Sequence, residues 1–419
     1  MASKITNEVL EAYLNCKLKG YLKLTGHPGI PSDYTVMQDQ ARQAVEASAI
    51  GEIRVRYHPD DVPSGSRLTA AILGAGPFFA FNLVFEDDLF SLTIAGLKRV
   101  DGESELGTFH YIPMLFQEGR RIGKHQRLTL GLFGHVLSQI QGRLPASGVI
   151  WHWPDGRITN IRLAQKTQAF EQFLREIKEI AAADSAPKLF LNNHCPTCEF
   201  RQRCHDQAIQ EDNLSLLRGI GEQEVKGYAR KGIFTVTQLS YTFRPRRRPK
   251  WAKAAPRPHS FALQALALRE NKIYVNGSPH LTNSPIRIFF DIEGLSDPDL
   301  YYLIGVLIDD GTTQRSHSFW ADSQDDQAQV ITQFVQLLTQ HANYTLYHWG
   351  NYERKALTTL KPLLPDALRP AFDEIQRRAV NVLSTVYASV YVPTLSNTLK
   401  HVAAFLVSWG AQNRPRGAP

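Results

Sequence analysis

The sequence predicts an α/β protein of two or three domains. Two observations carry this. Short apolar β runs alternate with segments whose apolar residues recur at helical spacing. The chain has 419 residues, and domains run to roughly 100–200 residues each. Four cysteines, all in the first half, then divide the chain into two chemically different parts.

Composition excludes several classes. Hydrophobic residues make up 43% and charged residues 21%, which is ordinary for a globular protein and rules out disorder, collagen and a small disulfide scaffold. No apolar run reaches the roughly 18 residues a membrane helix needs. The richest apolar stretch, Leu73 to Phe85, is broken by Gly74, Gly76, Pro77 and Asn82. The N-terminus leads into a polar amphipathic segment with no signal-peptide core, so a cytoplasmic protein without membrane contact is expected. A net charge of +7 and a pI of about 9.1 are compatible with a polyanionic partner.

The first half contains strand-like pieces at Phe90–Val100 and Thr108–Phe116. A helix follows at about Lys124 to Gln141, with Leu128, Leu132, Val136 and Ile140 at helical spacing. Cys195, Cys198 and Cys204 sit in CPTCEFRQRC, a C-x2-C-x5-C cluster, and Cys16 lies far upstream in EAYLNCKLKGYLK. Four thiols with none left over match one tetrathiolate metal site, either zinc or iron–sulfur. Disulfides are disfavoured in a cytosolic protein. The competing reading is four unrelated buried thiols.

A cysteine in the first helix, a nuclease-sized interval and a closing C-x2-C-x5-C resemble the iron–sulfur RecB-type nucleases. These include the CRISPR-associated RecB-like exonucleases and the AddB nuclease domain. The resemblance implies a PD-(D/E)xK restriction-endonuclease-like domain over residues 1–208. It also implies a [4Fe–4S] cluster on Cys16, Cys195, Cys198 and Cys204 that clips the two ends together, with zinc as the alternative. That family places an Asp, then an (Asp/Glu)-x-Lys, around a divalent ion. Here Ala95 precedes Leu97-Lys98-Arg99-Val100, and Met114-Leu115-Phe116 follows Tyr111-Ile112-Pro113. Gln126 matches the family's helical Gln, but Leu130 stands where a Tyr is expected. The first nuclease site is therefore expected to be degenerate, and the domain to be kept as a nucleic-acid-binding or structural module.

Residues 209–243 read as two short helices around a glycine turn. Arg218-Gly219-Ile220-Gly221 resembles the hairpin of helix-hairpin-helix motifs, in which Gly219 and Gly221 would let backbone N–H groups approach a phosphate. A plain helical connector is the alternative. Residues 244–283 form a basic linker. From Arg244 to Arg257 it reads RPRRRPKWAKAAPR, with seven Lys or Arg in 14 residues. This stretch is either a solvated linker or a phosphate-tracking strap, in which Arg246, Arg247, Arg248 and Lys250 meet the backbone and Trp251 stacks.

The last unit, 284–419, opens with an apolar run, Ile286 to Phe290, ending in Asp291-Ile292-Glu293-Gly294. A strand over Tyr301–Ile308 turns through Asp309-Asp310-Gly311 into another at about Gln314 to Trp320. A helix from about Gln324 to His341, a strand Thr345–Trp349 and a helix Asn351–Leu360 follow. Residues two apart on a strand share a face, so Asp291 and Glu293 form a carboxylate pair able to hold Mg²⁺ or Mn²⁺. An ordinary exposed strand is the bland alternative. The order resembles an RNase-H-like domain of the DEDD exonuclease type, with DIEG as its first motif and TLYHWGNYERKAL as its second. That resemblance makes Glu353 the next acid, with His348 and Tyr352 at the same turn. Asn381 stands where a further acid is expected, and the ending VSWGAQNRPRGAP reads as truncated.

The whole chain thus resembles RecB-like nucleases that fuse an iron–sulfur PD-(D/E)xK domain to an RNase-H-like domain. The implied function is metal-dependent phosphodiester hydrolysis of DNA or RNA, with Asp291, Glu293 and Glu353 catalytic, and Asp291 and Glu293 ligating the metal. The rival is a catalytically degenerate nucleic-acid-binding protein. A weaker third reading is a zinc-stabilised scaffold with no nucleic-acid role.

Overall fold

A computed structural model describes residues 4–58, 61–117, 122–153, 156–163, 168–244, 259–282, 284–295, 300–387 and 389–412. The chain divides into two compact units, residues 1–206 and 207–419. The segment 209–243 falls within the second unit. Arg246, Arg247, Arg248, Lys250 and Trp251 lie outside the described residues.

The first unit is a six-stranded mixed sheet with helices on both faces. It opens with β1 (Ile5–Thr6), α1 (Asn7–Asn15), α2 (Lys17–Leu24), α3 (Asp33–Arg56) and α4 (Ala70–Gly74). The strands β2 (Phe79–Glu86), β3 (Phe90–Ser104) and β4 (Gly107–Gln117) make an antiparallel meander. Next, α5 (Lys124–Gln141) crosses over to β5 (Ser147–His152), which pairs parallel with β4. The unit continues with β6 (Ile158–Arg162), α6 (Gln168–Ala181) and α7 (Arg201–Gln210).

The three expected elements, two strands and a helix, are present, and α5 has the expected bounds. The broken apolar stretch 73–85 holds β2, because alternate Phe79, Phe81, Leu83 and Phe85 are buried. On one face Leu132, Phe133, Val136 and Leu137 of α5 pack with Val9, Leu10, Phe173 and Ile177. On the other, Ile50 and Ile53 of α3 cover Phe81, Met114, Val149 and Trp151.

The second unit begins with α8 (Glu222–Ala229), α9 (Val236–Ser240), α10 (Phe261–Glu270) and the short strand β7 (Tyr274–Val275). Its main sheet follows from β8 (Ile286–Leu295), β9 (Leu300–Asp309) and β10 (Gln314–Trp320), which are antiparallel neighbours. Then come α11 (Gln327–Thr339), β11 (Tyr344–His348), α12 (Tyr352–Leu360), α13 (Arg369–Arg378) and β12 (Ala379–Asn381). The chain continues through α14 (Val382–Val386), β13 (Val390–Tyr391) and α15 (Leu399–Gln412). The sheet order is β10-β9-β8-β11-β12, with β11 parallel to β8 and to β12.

Alternation along β8 decides which side is core. Ile288, Phe290 and Ile292 are buried, whereas Phe289, Asp291 and Glu293 are exposed. The buried side meets Val330, Phe334, Val335 and Leu338 of α11, and Ala356, Leu357 and Leu360 of α12. The carboxylates thus stand on the opposite side from the α11 packing, because the pleat has a period of two. Among the described residues no helix is long and apolar enough to cross a membrane.

Candidate active site and cysteine cleft

Asp291 and Glu293 occupy the last turn of the pleat before β8 ends. Glu353 enters from the first turn of α12, where the helix N-terminus favours a negative charge. It is 4% exposed, and its side chain reaches hydrogen-bonding distance of Asp291. Burial first, then the charges of Glu353 and Glu293, raise Asp291 above the usual aspartate range.

His348 closes the buried side. Its ring lies against Phe290, centroids 5.6 Å apart, and its Nδ1 is 3.5 Å from Glu353 Oε2. Among the described residues neither of those two buried atoms has a hydrogen-bond partner.

The turn that delivers Glu353 is held by Asn381. Its Oδ1 accepts from the backbone N–H of Gly350 at 3.1 Å and of Ser384 at 3.1 Å. Its Nδ2 donates to Asn351 Oδ1 at 2.9 Å. The residue that stands where an acid was expected therefore works as a helix cap and a loop clip. Tyr352 adds a hydroxyl beside the carboxylates, pushed up to about 12 by burial and by neighbours that include Tyr301, Glu293, Tyr302 and Glu353.

Gly294 is required where it stands. A Cβ there would lie 2.7 Å from Tyr352 Oη and 2.8 Å from the Leu300 carbonyl oxygen, and the carbonyl cannot step aside. Gly305, directly across from Asp291 on β9, would gain a Cβ with nothing within 4 Å.

In the first unit, the four thiols line one cleft of about 320 Å³, counting the space open to solvent, together with Lys19, His194, Phe200 and Arg201. All four are free thiols. Cys16 is not inside the first helix as expected. It is an extended residue (φ −163°, ψ 126°) that ends α1 and begins α2. The break turns the chain, and the CPTC loop docks on it: Asn192 Nδ2 donates to the Asn15 carbonyl at 3.1 Å. Lys23 pairs with Glu199 at 2.6 Å and Lys19 with Glu199 at 3.4 Å.

Burial raises the Cys195, Cys198 and Cys204 thiols. Cys204 reaches about 11, because the other three thiols reinforce the effect. The donor chemistry fits a soft metal or iron–sulfur centre in this cleft and a hard cation at the carboxylates. Among the described residues, however, no three His, Cys, Asp or Glu side chains converge at metal-holding distances.

The expected nuclease positions of this unit are apolar in place. Met114 is 1% exposed and packs in the core under α3, with Phe116 beside it. Gln126 caps α5 by accepting from the Gly123 N–H at 3.0 Å and donates to Gln117 at 3.3 Å.

The glycine hairpin is also occupied. Gly219 (φ +74°) would place a Cβ 2.5 Å from the Tyr387 hydroxyl. The Gly221 N–H donates to Glu224 at 3.1 Å. The side chains around the thiols, and the His348–Glu353 contact, had no signal in residue spacing. They arise where separate elements meet.

Residues 288–414 match a family model described as RNase_H superfamily. That stretch is similar to RNase-H-like domains. No curated protein matches the chain.

Two outcomes test this geometry. Gly294→Ala is expected to destabilise the second unit by about 1–3 kcal/mol through overpacking, whereas Gly305→Ala is expected to be neutral or stabilising by up to about 1 kcal/mol. Paired urea titrations measure both. In addition, the raised Asp291 keeps its proton above the unfolded value of 3.8, so its contribution is full at low pH and is lost as pH rises through the folded value. In metal-free buffer, Glu353→Gln is expected to lessen that loss, read as stability against pH from 3.5 upward (about the unfolded carboxylate range).

Proposed function

We propose that the second unit is a nuclease that hydrolyses phosphodiester bonds of DNA or RNA with Mg²⁺ or Mn²⁺ at Asp291, Glu293 and Glu353. The observation that carries this reading is the acid cluster at the end of β8. Asp291 feels the charges of both Glu353, which is buried, and Glu293, in a domain whose superfamily acts on nucleic acid. Asp291 and Glu293 would hold the cations, and Glu353 adds charge from below. Bound there, such ions polarise the attacking water and steady the leaving oxygen. Tyr352 stays protonated at neutral pH and can donate to a phosphate oxygen. His348 supports Glu353 from the core side.

The first unit, on this reading, binds nucleic acid around an inorganic clip on Cys16, Cys195, Cys198 and Cys204. A [4Fe–4S] cluster is our proposal and zinc the alternative. The four thiols lining one cleft support it, and Lys19 and Arg201 at its rim offset the charge that four thiolates would carry. The element order of β2, β3, β4, α5 and β5 suits a PD-(D/E)xK fold, and the buried Met114 supports the view that its own catalytic site has been lost.

A second reading, nucleic-acid binding without cleavage, is favoured by Asn381, whose amide is spent on backbone caps.

Asp291→Asn is expected to abolish Mn²⁺-dependent cleavage of single- and double-stranded oligonucleotides by at least about 100-fold, in line with loss of a metal-ligating carboxylate, while far-UV circular dichroism stays unchanged. Cleavage at the wild-type rate would sink the assignment. A wild type that binds with steep salt dependence yet yields no products supports the second reading. For the clip, anaerobically purified protein is expected to be brown, with broad absorbance near about 400 nm, and Cys16→Ser to lose metal and colour. Full metal content in that variant contradicts a shared four-thiol centre, and a colourless zinc protein selects the alternative. Because the thiols must shed protons to bind, metal uptake is expected to rise with pH.

A further inference from the structure

β9 carries a one-residue bulge beside the carboxylates. Glu293 pairs with Leu303 and Gly294 pairs with Tyr301, which leaves Tyr302 as the extra residue. The bulge is braced on both sides. The Tyr301 N–H donates to Gln327 Oε1 at 2.8 Å, and the Ala321 N–H donates to the Tyr302 carbonyl at 2.9 Å.

Bulges free a side chain from strict alternation and re-aim it. Here the Tyr302 ring lies against Trp320 of β10, with centroids 6.3 Å apart and planes 24° from parallel. Trp320 sits directly opposite Leu303, which sits directly opposite Glu293. Directly opposed residues share a face, so Glu293, Leu303 and Trp320 form one row across the sheet. In the next row Gly305 faces Asp291 and Ser318, and leaves the surface there open.

Trp320 is 63% exposed, although it is the largest side chain of the edge strand. Packing does not account for so much apolar ring in water on a strand edge. Its position does: the ring is backed by Tyr302, which in turn lies near enough to the Tyr352 hydroxyl to act on it together with Glu293. The ring pair therefore lies on the row across the sheet that ends at Glu293.

We infer that Tyr302 and Trp320 form a stacking platform for an unpaired nucleobase, which makes single-stranded nucleic acid the substrate class of the carboxylate site. This rests on the nuclease reading for the nature of the ligand. The chemistry is direct. A base in a duplex already has both faces stacked, whereas an unpaired base gains by lying on an exposed indole, whatever its identity. A base held on Trp320 places its own backbone along the row that leads to Glu293 and the open surface beside Asp291.

The test uses the full chain carrying Asp291→Asn, so that bound strands survive. Fluorescence anisotropy follows labelled oligothymidylate, oligouridylate and a blunt DNA duplex at one salt concentration. Adding Trp320→Ala is expected to weaken binding of at least one single strand by about 10-fold, the loss expected of one stacked base. Duplex binding stays unchanged, and Trp320→Phe retains most of the affinity. Equal single-strand affinity with and without Trp320 overturns the platform, as does the absence of any single-strand binding. Wild-type cleavage is assayed in parallel. Trp320-dependent binding with no cleavage by the wild type supports the platform and removes the nuclease reading alone.

Discussion

Repulsion among three carboxylates is the constraint around which the second unit is built. The pleat of β8 sets Asp291 and Glu293 on one face, and the turn after β11 brings Glu353 up against them. Burial first, and then the charges of Glu353 and Glu293, raise the proton affinity of Asp291. Glu353 gains partial relief from the N-terminus of α12. It is buried, its nearest cationic candidate is a histidine 3.5 Å away, and one of its oxygens lacks a partner among the described residues. The fold must therefore supply the closeness. It does so through Asn381, which fixes the Gly350–Asn351 turn, and through Gly294, which lets Tyr352 and the Leu300 carbonyl close on the strand.

The first unit solves a different problem, that of bringing its early chain to residues near its end. Closing a long loop costs entropy that grows only as the logarithm of its length. Local contacts begin the closure: Asn192 on Asn15, Glu199 between Lys19 and Lys23, and Phe200 against Leu18 and Leu22. The Glu199 pairs are largely buried, so the cost of desolvating the charges offsets much of their attraction. The apolar seat of Phe200 and a centre shared by the thiols are the stronger candidates for the remainder. The raised thiols of Cys195, Cys198 and Cys204 fit that view, since they hold their protons until something displaces them.

The fold of the second unit could be read closely from the sequence because its signals are local. Strict alternation in IRIFFDIEG marks both the strand and its two faces, Asp309-Asp310-Gly311 marks a hairpin, and helical spacing marks α11. The same rules found β3, β4 and α5 but passed over β2, whose pattern is masked by the glycines and proline before it. They also put Cys16 inside a helix. EAYLNCKLKGYLK is helical on both sides of that residue, and only the tertiary turn breaks it. Within the site, the Asp291–Glu293 pair was readable as period two. The roles of His348, Asn381 and Tyr302 were not, because they depend on how a turn, a helix start and a register shift between strands are placed in space.

The missing acid at Asn381 bears on whether the cluster works or merely survives. An acid there would face the same N–H groups of Gly350 and Ser384, and it would add a fourth negative charge beside an already strained trio. The amide makes the cap without adding that charge. A site relieved of its function would be expected to shed its remaining strain in the same way. Asp291, Glu293 and Glu353 have not been exchanged for amides, and two buried atoms, His348 Nδ1 and Glu353 Oε2, stay without partners. Each such orphan costs about 1–3 kcal/mol. On the proposed nuclease reading, a cation held at Asp291 would offset part of the cost that burial and the neighbouring charges impose there.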